Sequence, residues 1–405
     1  MGALSHIKVL DLSRVLAAPW ATQILGDLGA EVIKIEKPCE GDETRHFGPP
    51  FLTHPDGSRA DATYFLSANR NKKSVAIDLA KPEGAAIVKS LSRRAHVVVE
   101  NFKTGALARY GLDYAALSAD NPALVYCSLT GFGHTGPNKD KAGYDYLIQG
   151  MGGLMSVTGQ PDGTPGAEPM KVGVAVSDLL TGLYAANAIQ AALIHQARTG
   201  EGQEIDMALF DCQAAALANQ AMNYLAGGMK PTRLGNAHPN IVPYQVFATA
   251  DGFLILAVAN DGQFRRFCAA AGLGALADDP RFATNAERVG HRDVLVGMLK
   301  PVFLTRTNAA WIAALEAANV PCGPINSVAQ VFAEPQAKAR GLTVTTDHET
   351  GPLDLVASPL RLSKTPPEYR LAPPRLGQHT REILAGIGLT EAEIANLAKS
   401  NVIGL

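Results

Sequence analysis

The stretch KVLDLSRVLAAPWATQILGDLGAEVIKIE, residues 8–36, contains a strand, a helix and a second strand in immediate succession. Residues 8–12 and 31–35 are short apolar runs rich in β-branched side chains, which are typical of buried strands. Between them, a proline near the start and a glycine at the end delimit a helix over residues 19–29. Such a unit joins parallel strands, so this stretch predicts a parallel sheet covered by helices.

The same alternation continues along the chain. Residues 74–79, 96–99 and 124–129 are further strand-like runs, and a helix begins near Pro82. The predicted fold class is therefore α/β, with a large Rossmann-like domain built on a mostly parallel sheet. Strand-like residues 253–258, with helix-like residues 263–271 and 309–318, predict a second, smaller α/β domain.

Several glycines and prolines in residues 225–244 indicate a long loop or a crossing between domains. We predict that residues 1–225 form the N-terminal part of the large domain and that residues 226–335 form the small one. Residues 336–405 then return to complete the large domain. Thr390 and Glu393 form a capping-box pattern that opens the last helix.

Composition excludes several classes of protein. The 36 Lys and Arg residues are balanced by 38 Asp and Glu residues, so the basic excess of a nucleic-acid-binding protein is missing. The start of the chain lacks a secretory pattern, and no apolar run reaches the ~20 residues that span a membrane. The cysteines have no metal-ligand spacing, which indicates small core residues in a reducing compartment: Cys39, Cys127, Cys212, Cys268 and Cys322. We expect a cytoplasmic protein without a metal.

The first strand-helix-strand unit resembles a dinucleotide-binding motif, because its second strand ends in Glu36. The turn after the first strand, SRVLAAP at residues 13–19, has no glycine, however. Side chains at every position of this turn obstruct the close backbone approach that a pyrophosphate needs. The sequence therefore predicts the architecture of such proteins but not a nicotinamide cofactor.

Residues 171–182, KVGVAVSDLLTG, place the carboxylate of Asp178 between two apolar runs. Residues 172–176 resemble a strand, and residues 179–194 resemble a helix. One interpretation is that Ser177 or Asp178 caps this helix. The other is that Asp178 is a nucleophile, because a carboxylate that is ionised but poorly hydrated can attack an activated acyl carbon.

Three further segments have both a structural and a functional interpretation. Tyr144 and Asp145 precede QGMGGLM, residues 149–155, which is either a plain turn into a helix or a set of N–H groups that support an oxyanion. Asn101 and Phe102 follow a buried strand, where ligands of α/β sheets bind. The third set is basic and is either solvated surface or a phosphate site: residues 69–73 (NRNKK), Lys34, Lys37 and Arg109.

Nine segments in a fixed order resemble the family III CoA-transferases over nearly the whole chain. They are VLDLSRVLAAPWATQILGDLGAEVIKIEKPCEGD, NRNKKSVAIDL, VVENFKTGAL, GYDYLIQGMGGLMSVTG, VGVAVSDLLTG, RTGEGQEIDMALFD, GNAHPNIVPY, VPCGPINSV and LGQHTREILAGIGL.

The resemblance implies that Asp178 attacks an acyl-CoA thioester and passes through a mixed anhydride and an aspartyl-CoA thioester. Coenzyme A or acyl-CoA is then a substrate, together with a small carboxylic acid, and no tightly bound cofactor is expected. The resemblance also implies an interlocked homodimer, in which each chain forms a ring threaded by the other. Neither nucleic acid nor a membrane is an expected partner.

The resemblance further assigns residues of the large domain to coenzyme A. They are Val15, Leu16, Ala17, Lys37, Asn71, Lys72, Asn101, Phe102, Arg109, Tyr144 and Asp145.

Two positions depart from particular members of the family. Tyr144 stands where the similar 2-methylacyl-CoA racemase has a histidine, and a neutral tyrosine is a poor base. Racemisation is therefore the alternative to CoA transfer, beside a non-catalytic CoA-binding protein.

Residues 235–243 read GNAHPNIVP where formyl-CoA transferase has a run of four glycines. This loop is more similar to members that exchange CoA between dicarboxylates such as succinate and glutarate. Gly235, Asn236 and His238 then form a substrate loop, with Arg233 nearby.

Overall fold

The computed structural model describes residues 2–405. The chain forms two compact units. The first comprises the residues up to Leu154, then Val172–Ala218 and Pro335–Leu405, and the second comprises Met155–Lys171 and Asn219–Glu334. Residues 155–171, which the sequence analysis assigns to the large domain, thus belong to the second unit.

Residues 2–405 contain fourteen β-strands. In chain order they are β1 (Lys8–Asp11), β2 (Glu31–Glu36), β3 (Phe51–Thr53), β4 (Arg59–Ala62), β5 (Lys72–Ile77), β6 (Val97–Glu100), β7 (Val125–Thr130), β8 (Gln203–Ala208), β9 (Tyr244–Ala248), β10 (Phe253–Ala257), β11 (Cys322–Pro324), β12 (Thr343–His348), β13 (Gly351–Val356) and β14 (Ile403–Gly404).

The same residues contain eighteen α-helices. They are α1 (Ala17–Asp27), α2 (Thr63–Leu66), α3 (Pro82–Ser92), α4 (Tyr114–Asp120), α5 (Asp145–Met151), α6 (Leu154–Val157), α7 (Val176–Thr199), α8 (Leu209–Ala216), α9 (Ala218–Leu225), α10 (Asp261–Ala271), α11 (Gly274–Ala277), α12 (Asn285–Gly290), α13 (Arg292–Phe303), α14 (Asn308–Ala317), α15 (Val328–Ala333), α16 (Pro335–Ala339), α17 (Thr380–Gly386) and α18 (Glu391–Lys399).

The first unit is built on a seven-stranded sheet with the order β14-β5-β2-β1-β6-β7-β8. Every neighbouring pair is parallel except β14 with β5, which is antiparallel. The prediction of an α/β fold with a large, mostly parallel sheet is confirmed. The edge strand β14 contains only Ile403 and Gly404, too short a run for the sequence to reveal it.

Successive residues of the strands point to opposite faces of this sheet, so each face has its own core. Val9 and Val97 belong to one buried cluster, with residues of α1 and α7. Leu10 and Val98, their neighbours in sequence, belong to the other, with residues of α3 and α17. The apolar runs of the sequence are continuous because both faces of the sheet are covered.

The second unit contains a three-stranded antiparallel sheet with the order β11-β10-β9. Its core is aromatic: the rings of Phe247 and Phe303 stack with centroids 4.4 Å apart, and Trp311 Nε1 donates to the carbonyl of Phe303 at 2.8 Å. The indole is fully buried, and this hydrogen bond satisfies its polar group. The unit therefore has a hydrophobic core of its own.

Some sequence predictions differ from the structure in detail. Residues 172–176 are not a strand, and Val174 is 58% exposed. Three cysteines are buried, but Cys322 is only partly buried and Cys39 is exposed. The capping box of Thr390 and Glu393 is present at the start of α18.

Within residues 2–405, no helix combines the length and the apolar character that a membrane crossing requires. In the same range, no group of three or more His, Cys, Asp or Glu side chains is placed to hold a metal ion.

Candidate active site

The turn after β1 rests on a buried cluster of charges. Asp11 Oδ1 accepts from Ser13 N at 2.9 Å, and Asp11 Oδ2 accepts from Lys72 Nζ at 3.1 Å. Lys34 Nζ donates to the carbonyl of Ser13 at 2.8 Å and to Asp42 Oδ2 at 2.9 Å. Burial opposes the charge on Asp11, but Lys72 and Lys34 outweigh it and lower the pKa of Asp11 to about 2. Each buried charge thus has a partner, without which it would be strongly destabilising.

Two more side chains hold the turn in an unusual conformation. Val15 has a φ of 68°, in the left-handed region that β-branched residues rarely adopt. Asp42 accepts from Val15 N with both carboxylate oxygens, each at 3.2 Å. Asn101 accepts from Arg14 N at 2.9 Å and donates to the Arg14 carbonyl at 2.7 Å. Buried side chains therefore impose a backbone shape that glycines permit in other turns.

Asp178 lies in the first turn of α7, and an aspartate of another helix caps that turn. The helix begins at Val176, and the N-cap position belongs to Ala175, which has no side-chain acceptor. Asp145 Oδ1 instead accepts from Ser177 N at 2.8 Å and from Asp178 N at 3.3 Å. The interpretation that Ser177 or Asp178 is itself the cap is wrong, because both residues already lie inside the helix.

Gln149 fixes the capping carboxylate and the segment that leads into α7. Its Nε2 donates to Asp145 Oδ2 at 2.7 Å, and its Oε1 accepts from Val172 N at 2.8 Å. The Gln149 side chain is fully buried. The backbone of residues 172–176 is thus bonded to a glutamine side chain rather than to a neighbouring strand, which explains why the predicted strand does not form.

Helix α7 also lies unusually close to the turn after β1. A Cβ atom on Gly182 would come within 2.5 Å of the carbonyl oxygen of Ala17 and 3.1 Å of the Trp20 side chain. Only glycine permits this approach. The contact brings the helix that carries Asp178 against the start of α1, beside Val15 and Leu16.

A cavity of about 230 Å³ brings most of the predicted residues together. Asp178 lines it with the predicted residues Val15, Leu16, Ala17, Asn101, Phe102, Tyr144 and Asp145. The other charged groups in its wall are Arg14, Glu43, Lys103, Lys139 and Lys141. The carboxylate of Asp178 and several cations therefore face one space.

The environment of Asp178 strongly disfavours its charge. Burial is the main cause and the nearby carboxylate of Asp145 the second, and together they raise the pKa of Asp178 from 3.8 to about 7. Tyr64 lies within range of both carboxylates: burial first, and then the charges of Asp178 and Asp145, raise the pKa of its phenol. Asp178 is thus ionised only near neutral pH and above.

A second cavity, of about 350 Å³, adjoins the first at the carboxyl edge of the sheet. The predicted residues Lys37 and Arg109 line it, and Arg14, Glu43 and Phe102 belong to both cavities. Two cations at the end of parallel strands are suited to phosphate groups. The pair of cavities gives room for an elongated, anionic ligand whose one end reaches Asp178.

Asn71 and Lys72 are placed differently. Asn71 is 2% exposed, and its side chain binds Asp27 Oδ1 at 2.9 Å and the carbonyl of Glu368 at 2.7 Å. Lys72 is fully buried and donates to Asp11 and to the Pro19 carbonyl. Both side chains are used in hydrogen bonds inside the protein, and neither residue lines the two cavities.

The glycine-containing segment after Tyr144 is used for packing. Gly150 lies within α5, and the N–H groups of Gly152 and Gly153 donate to carbonyls of the same turn, those of Ile148 and Gly150. A Cβ atom on Gly152 would come within 2.5 Å of the Gln213 side chain. These two amides therefore already have acceptors within the turn, as the interpretation of the segment as a plain helix and turn expects.

The predicted substrate loop belongs to the second unit and is well ordered by its own contacts. Gly235 has a φ of 61°, and its N–H donates to the carbonyl of Gly159 at 3.0 Å. His238 Nδ1 accepts from Asn240 N at 3.0 Å, and Arg292 Nη2 binds the carbonyl of His238 at 2.8 Å. Burial, and then the charge of Arg292, lower the pKa of His238.

The arrangement agrees with comparisons with known proteins. A model of CoA-transferase family III matches residues 4–380 of this chain. The chain belongs to this family. A succinate–glutarate CoA-transferase of Agrobacterium fabrum is 54% identical over 389 residues, which cover 96% of each chain. A succinyl-CoA:glutarate CoA-transferase of Mus musculus is 44% identical over 100% of this chain and 91% of its own length.

The same family likeness extends to three dimensions. The crystal structure of a CAIB/BAIF family protein from Brucella suis superimposes with a TM-score of 0.83 at 50% sequence identity. The match covers 95% of this chain and 99% of that one. This chain is therefore an enzyme of the family III CoA-transferases, and CoA thioesters are its substrates.

Sequence reasoning missed several groups of this CoA-transferase site. Lys139 and Lys141 lie in a polar loop of ordinary composition, and nothing in their spacing marks them as part of the cavity. Tyr64 comes from a segment that contains no recognised motif, and Asp42 has no individual role predicted from the sequence. The residues GD at 41–42 fell within a segment that resembles the family, which was the one available signal for Asp42.

Replacing Asp145 by alanine should remove the cap of α7. We expect the Asp145→Ala variant to lose about 1–2 kcal/mol of unfolding free energy in urea denaturation, because the amides of Ser177 and Asp178 lose their acceptor. Asp211→Ala, which removes an exposed carboxylate from the first turn of α8, is the matched control and should lose less than half as much. Equal losses in the two variants would contradict the capping role.

Replacing Asp178 by asparagine should stabilise the protein at high pH. Because the pKa of Asp178 is about 7 in the folded chain and near 3.8 when unfolded, the folded chain binds more protons between these values. Stability therefore falls as the pH rises through this range. We expect Asp178→Asn to raise the unfolding free energy by roughly 1–3 kcal/mol at pH 8 and by less than half as much at pH 5, where only part of this loss has occurred.

The matched control for this measurement is Asp211→Asn, an exposed carboxyl in the first turn of α8. Its effect should be small at both pH values. If the Asp178 variant were no more stable than the parent at pH 8, its carboxylate would not be in a destabilising environment.

Proposed function

We propose that this transferase moves CoA from succinyl-CoA, or another dicarboxylyl-CoA, to a carboxylate acceptor such as glutarate. The observation that carries the proposal is the position of Asp178: a carboxylate of raised pKa in the wall of a cavity rich in cations. The names of the similar proteins from Agrobacterium fabrum and Mus musculus support succinate and glutarate as the acids.

In the proposed first half-reaction, an ionised oxygen of Asp178 attacks the carbonyl carbon of succinyl-CoA. The carbon–sulfur bond breaks, CoA leaves as the thiolate, and Asp178 and the succinyl group form a mixed anhydride. The thiolate then attacks the Asp178 carboxyl carbon. The anhydride bond breaks, succinate leaves, and an aspartyl-CoA thioester remains.

The second half-reaction follows the same steps in reverse with the new acid. The acceptor carboxylate attacks the aspartyl thioester and displaces the thiolate, which gives a second anhydride. The thiolate then attacks the acceptor's carbonyl carbon and releases Asp178 as the carboxylate. No proton, water or electron enters or leaves, so the energy of the thioester is conserved.

The environment of Asp178 suits these steps. Every intermediate is hydrolysed by water, so partial burial of the nucleophile protects the reaction. A carboxylate whose pKa is about 7 is poorly stabilised by its surroundings and gains by forming a neutral acyl derivative. Asp145 holds the start of α7 through its two hydrogen bonds.

Coenzyme A is proposed to lie along the two adjoining cavities. Lys37 and Arg109 are placed for its phosphate groups, and Phe102 lies where the two cavities meet. The chain from Val15 to Ala17 would border the part of the ligand that approaches Asp178. Gly235, Asn236 and His238 remain the proposed acid-binding loop, on the strength of its likeness to dicarboxylate-using members of the family.

Tyr144 argues against racemisation at this site. It lines the cavity with Asp178, but it is 70% exposed, and a phenol is a weak base at neutral pH. A racemase needs a base on each side of the α-carbon. Tyr144 therefore does not supply the second base, whereas acyl transfer needs only a nucleophile, which is the role proposed for Asp178.

Trapping the intermediate tests the function. After incubation with succinyl-CoA and treatment with borohydride or hydroxylamine, we expect peptide mass spectrometry to find the modification on Asp178. Omitting succinyl-CoA and using the Asp178→Asn variant should each abolish it, and the peptide that carries Asp211 serves as an internal control. A modification on a different carboxylate, or on none, would exclude the proposed mechanism.

We further infer that two chains form the interlocked homodimer implied by the family. Helices α5 and α7 contact each other in the first unit and expose large apolar side chains, which a monomer rarely does. They include Tyr146, Leu147, Leu183, Tyr184 and Ile194, which are 45–64% exposed. Light scattering should give twice the mass of one chain, with no dissociation on dilution to nanomolar concentration. A monomer mass would refute the inference.

A further inference from the structure

Glu100, the last residue of β6, holds the turn where the two cavities meet. Its Oε2 accepts from the backbone N–H of Phe102 at 2.7 Å. Phe102 lines both cavities, and its neighbour Asn101 binds the backbone of Arg14 through two hydrogen bonds. Glu100 itself is 6% exposed and lines neither cavity. Residues 101–102, which we call the β6 turn, thus connect a buried carboxylate to the walls of the site.

Glu100 also belongs to a row of polar side chains that crosses three strands. Glu100 of β6 pairs with Ser128 of β7, which pairs with Asp206 of β8. The Ser128 hydroxyl hydrogen-bonds to Glu100, and His134 Nε2 lies 2.9 Å from Ser128 Oγ. Asp206 Oδ2 accepts from the backbone N–H of His134 at 2.9 Å. Ser128 is 1% exposed, so its hydroxyl serves this row and not a substrate.

The donors in this row follow from the single proton of a hydroxyl. An ionised carboxylate only accepts, so the Ser128 hydroxyl donates to Glu100. Ser128 Oγ then accepts from His134, whose Nε2 carries the proton. The His134 side chain is 26% exposed and lies 3.7 Å from Glu204 Oε1 and 3.9 Å from Asp206 Oδ1. A chain of hydrogen bonds therefore leads from a partly exposed histidine to the β6 turn.

The charge of Glu100 changes within an accessible range of pH. Burial raises the pKa of Glu100 to about 6, although the bonds from Ser128 and Phe102 and the charge of His134 oppose this shift. The titratable groups around Glu100 come from β7, the turn that follows it and β8: Tyr126, Cys127, His134, Glu204 and Asp206. When Glu100 is ionised, its bond to Phe102 is charge-assisted, and when Glu100 is protonated, this bond is weaker.

We propose that Glu100 is a positioning residue for coenzyme A, which holds the β6 turn in the shape that the ligand needs and acts through Asn101 and Phe102. Ser128 and His134 support it by keeping its carboxylate oriented and ionised. This inference rests on the proposed placement of coenzyme A along the two cavities. It gives a role to three polar residues outside those cavities and predicts that the affinity for coenzyme A falls in acid.

The test measures the dissociation constant of coenzyme A by isothermal titration calorimetry. At pH 7.5 we expect Glu100→Gln to raise it by about 3–10-fold and Glu100→Ala by about 10–100-fold, because the amide keeps a neutral acceptor for Phe102 and alanine keeps none. Coenzyme A is an anion, so the loss of a nearby negative charge would by itself strengthen binding. Weaker binding is therefore the sign of a displaced turn.

Glu204→Gln is the matched control for this measurement. It removes one negative charge from the neighbouring strand β8, where Glu204 lies against His134. Its dissociation constant should stay within about twofold of the parent value. An equal loss of affinity in Glu204→Gln and Glu100→Gln would show a general effect of charge and would overturn the inference.

The pH dependence is the second readout. The affinity of the parent for coenzyme A should fall as the pH falls through about 6, because Glu100 becomes neutral. The ratio of the Glu100→Gln constant to the parent constant should therefore decrease from about 3–10 at pH 7.5 to about 1–2 at pH 5. The titration of coenzyme A and of Asp178 affects both proteins and cancels in this ratio. A ratio that is the same at both pH values would contradict the inference.

Kinetics separate positioning from a loss of folding, even if Glu100→Ala does not fold. In the proposed mechanism, kcat/KM for succinyl-CoA includes the binding of CoA, whereas kcat/KM for glutarate starts from the aspartyl-CoA thioester. Glu100→Gln should lower the first by about 3–10-fold and the second by less than about twofold. A parallel fall of both would assign Glu100 to folding and overturn the inference.

Unchanged or tighter binding of coenzyme A by Glu100→Gln would also overturn it. Each of these results leaves the proposed function intact if Asp178 is trapped in the parent. If Asp178 is not trapped, the proposed mechanism fails, and the calorimetric comparison still decides the role of Glu100.

Discussion

The hydrogen bonds from the first turn of α7 to the carboxylate of Asp145 hold the start of the helix that carries Asp178, and the charge of Asp145 contributes, after burial, to the raised pKa of Asp178. An unsatisfied helix start has free N–H groups and a partial positive charge, which would lower the pKa of a carboxylate in the same turn. Here Asp145 accepts from the amides of Ser177 and Asp178, and its negative charge opposes that effect. The same contact that positions Asp178 therefore adds to burial in raising its pKa to about 7. A capping residue within α7 could not position this helix against another element, whereas Asp145 belongs to α5.

The turn after β1 contains a left-handed residue, Val15, and buried charged side chains hold it in a conformation that glycine adopts more readily. Val15 keeps its left-handed conformation because Asp42 binds its N–H group, and Asp42 is in turn held by Lys34. Each of these ionised groups is costly to bury alone and acceptable as part of a fully paired cluster. The result is a rigid border on the site made of ordinary side chains.

Features that depend on a local residue pattern could be predicted from the sequence, and features that depend on contacts between distant segments could not. Strands β1, β2, β6 and β7 were evident because continuous β-branched runs between turn residues are characteristic of strands buried on both faces. The same apolar pattern in residues 172–176 was misleading, since a strand also needs a neighbour, and here Gln149 binds the backbone instead. Asn71 and Lys72 were assigned to the ligand by resemblance, yet they are buried under the site. Residue type and order cannot show whether a polar side chain forms hydrogen bonds inside the protein or faces a cavity.

By itself, the sequence determined the α/β architecture with its parallel sheet, the exclusion of a dinucleotide turn, and Asp178 as a carboxylate between apolar segments. These features follow from local patterns of a few residues. Only the tertiary structure decided that Asp145, 33 positions away, caps the helix of Asp178, and that Arg14 meets Glu43 beside it, 29 positions away. Such contacts depend on how separate elements pack, and the strength of a charge depends on its burial and its neighbours. Neither distance nor burial is encoded in the spacing of residues along the chain.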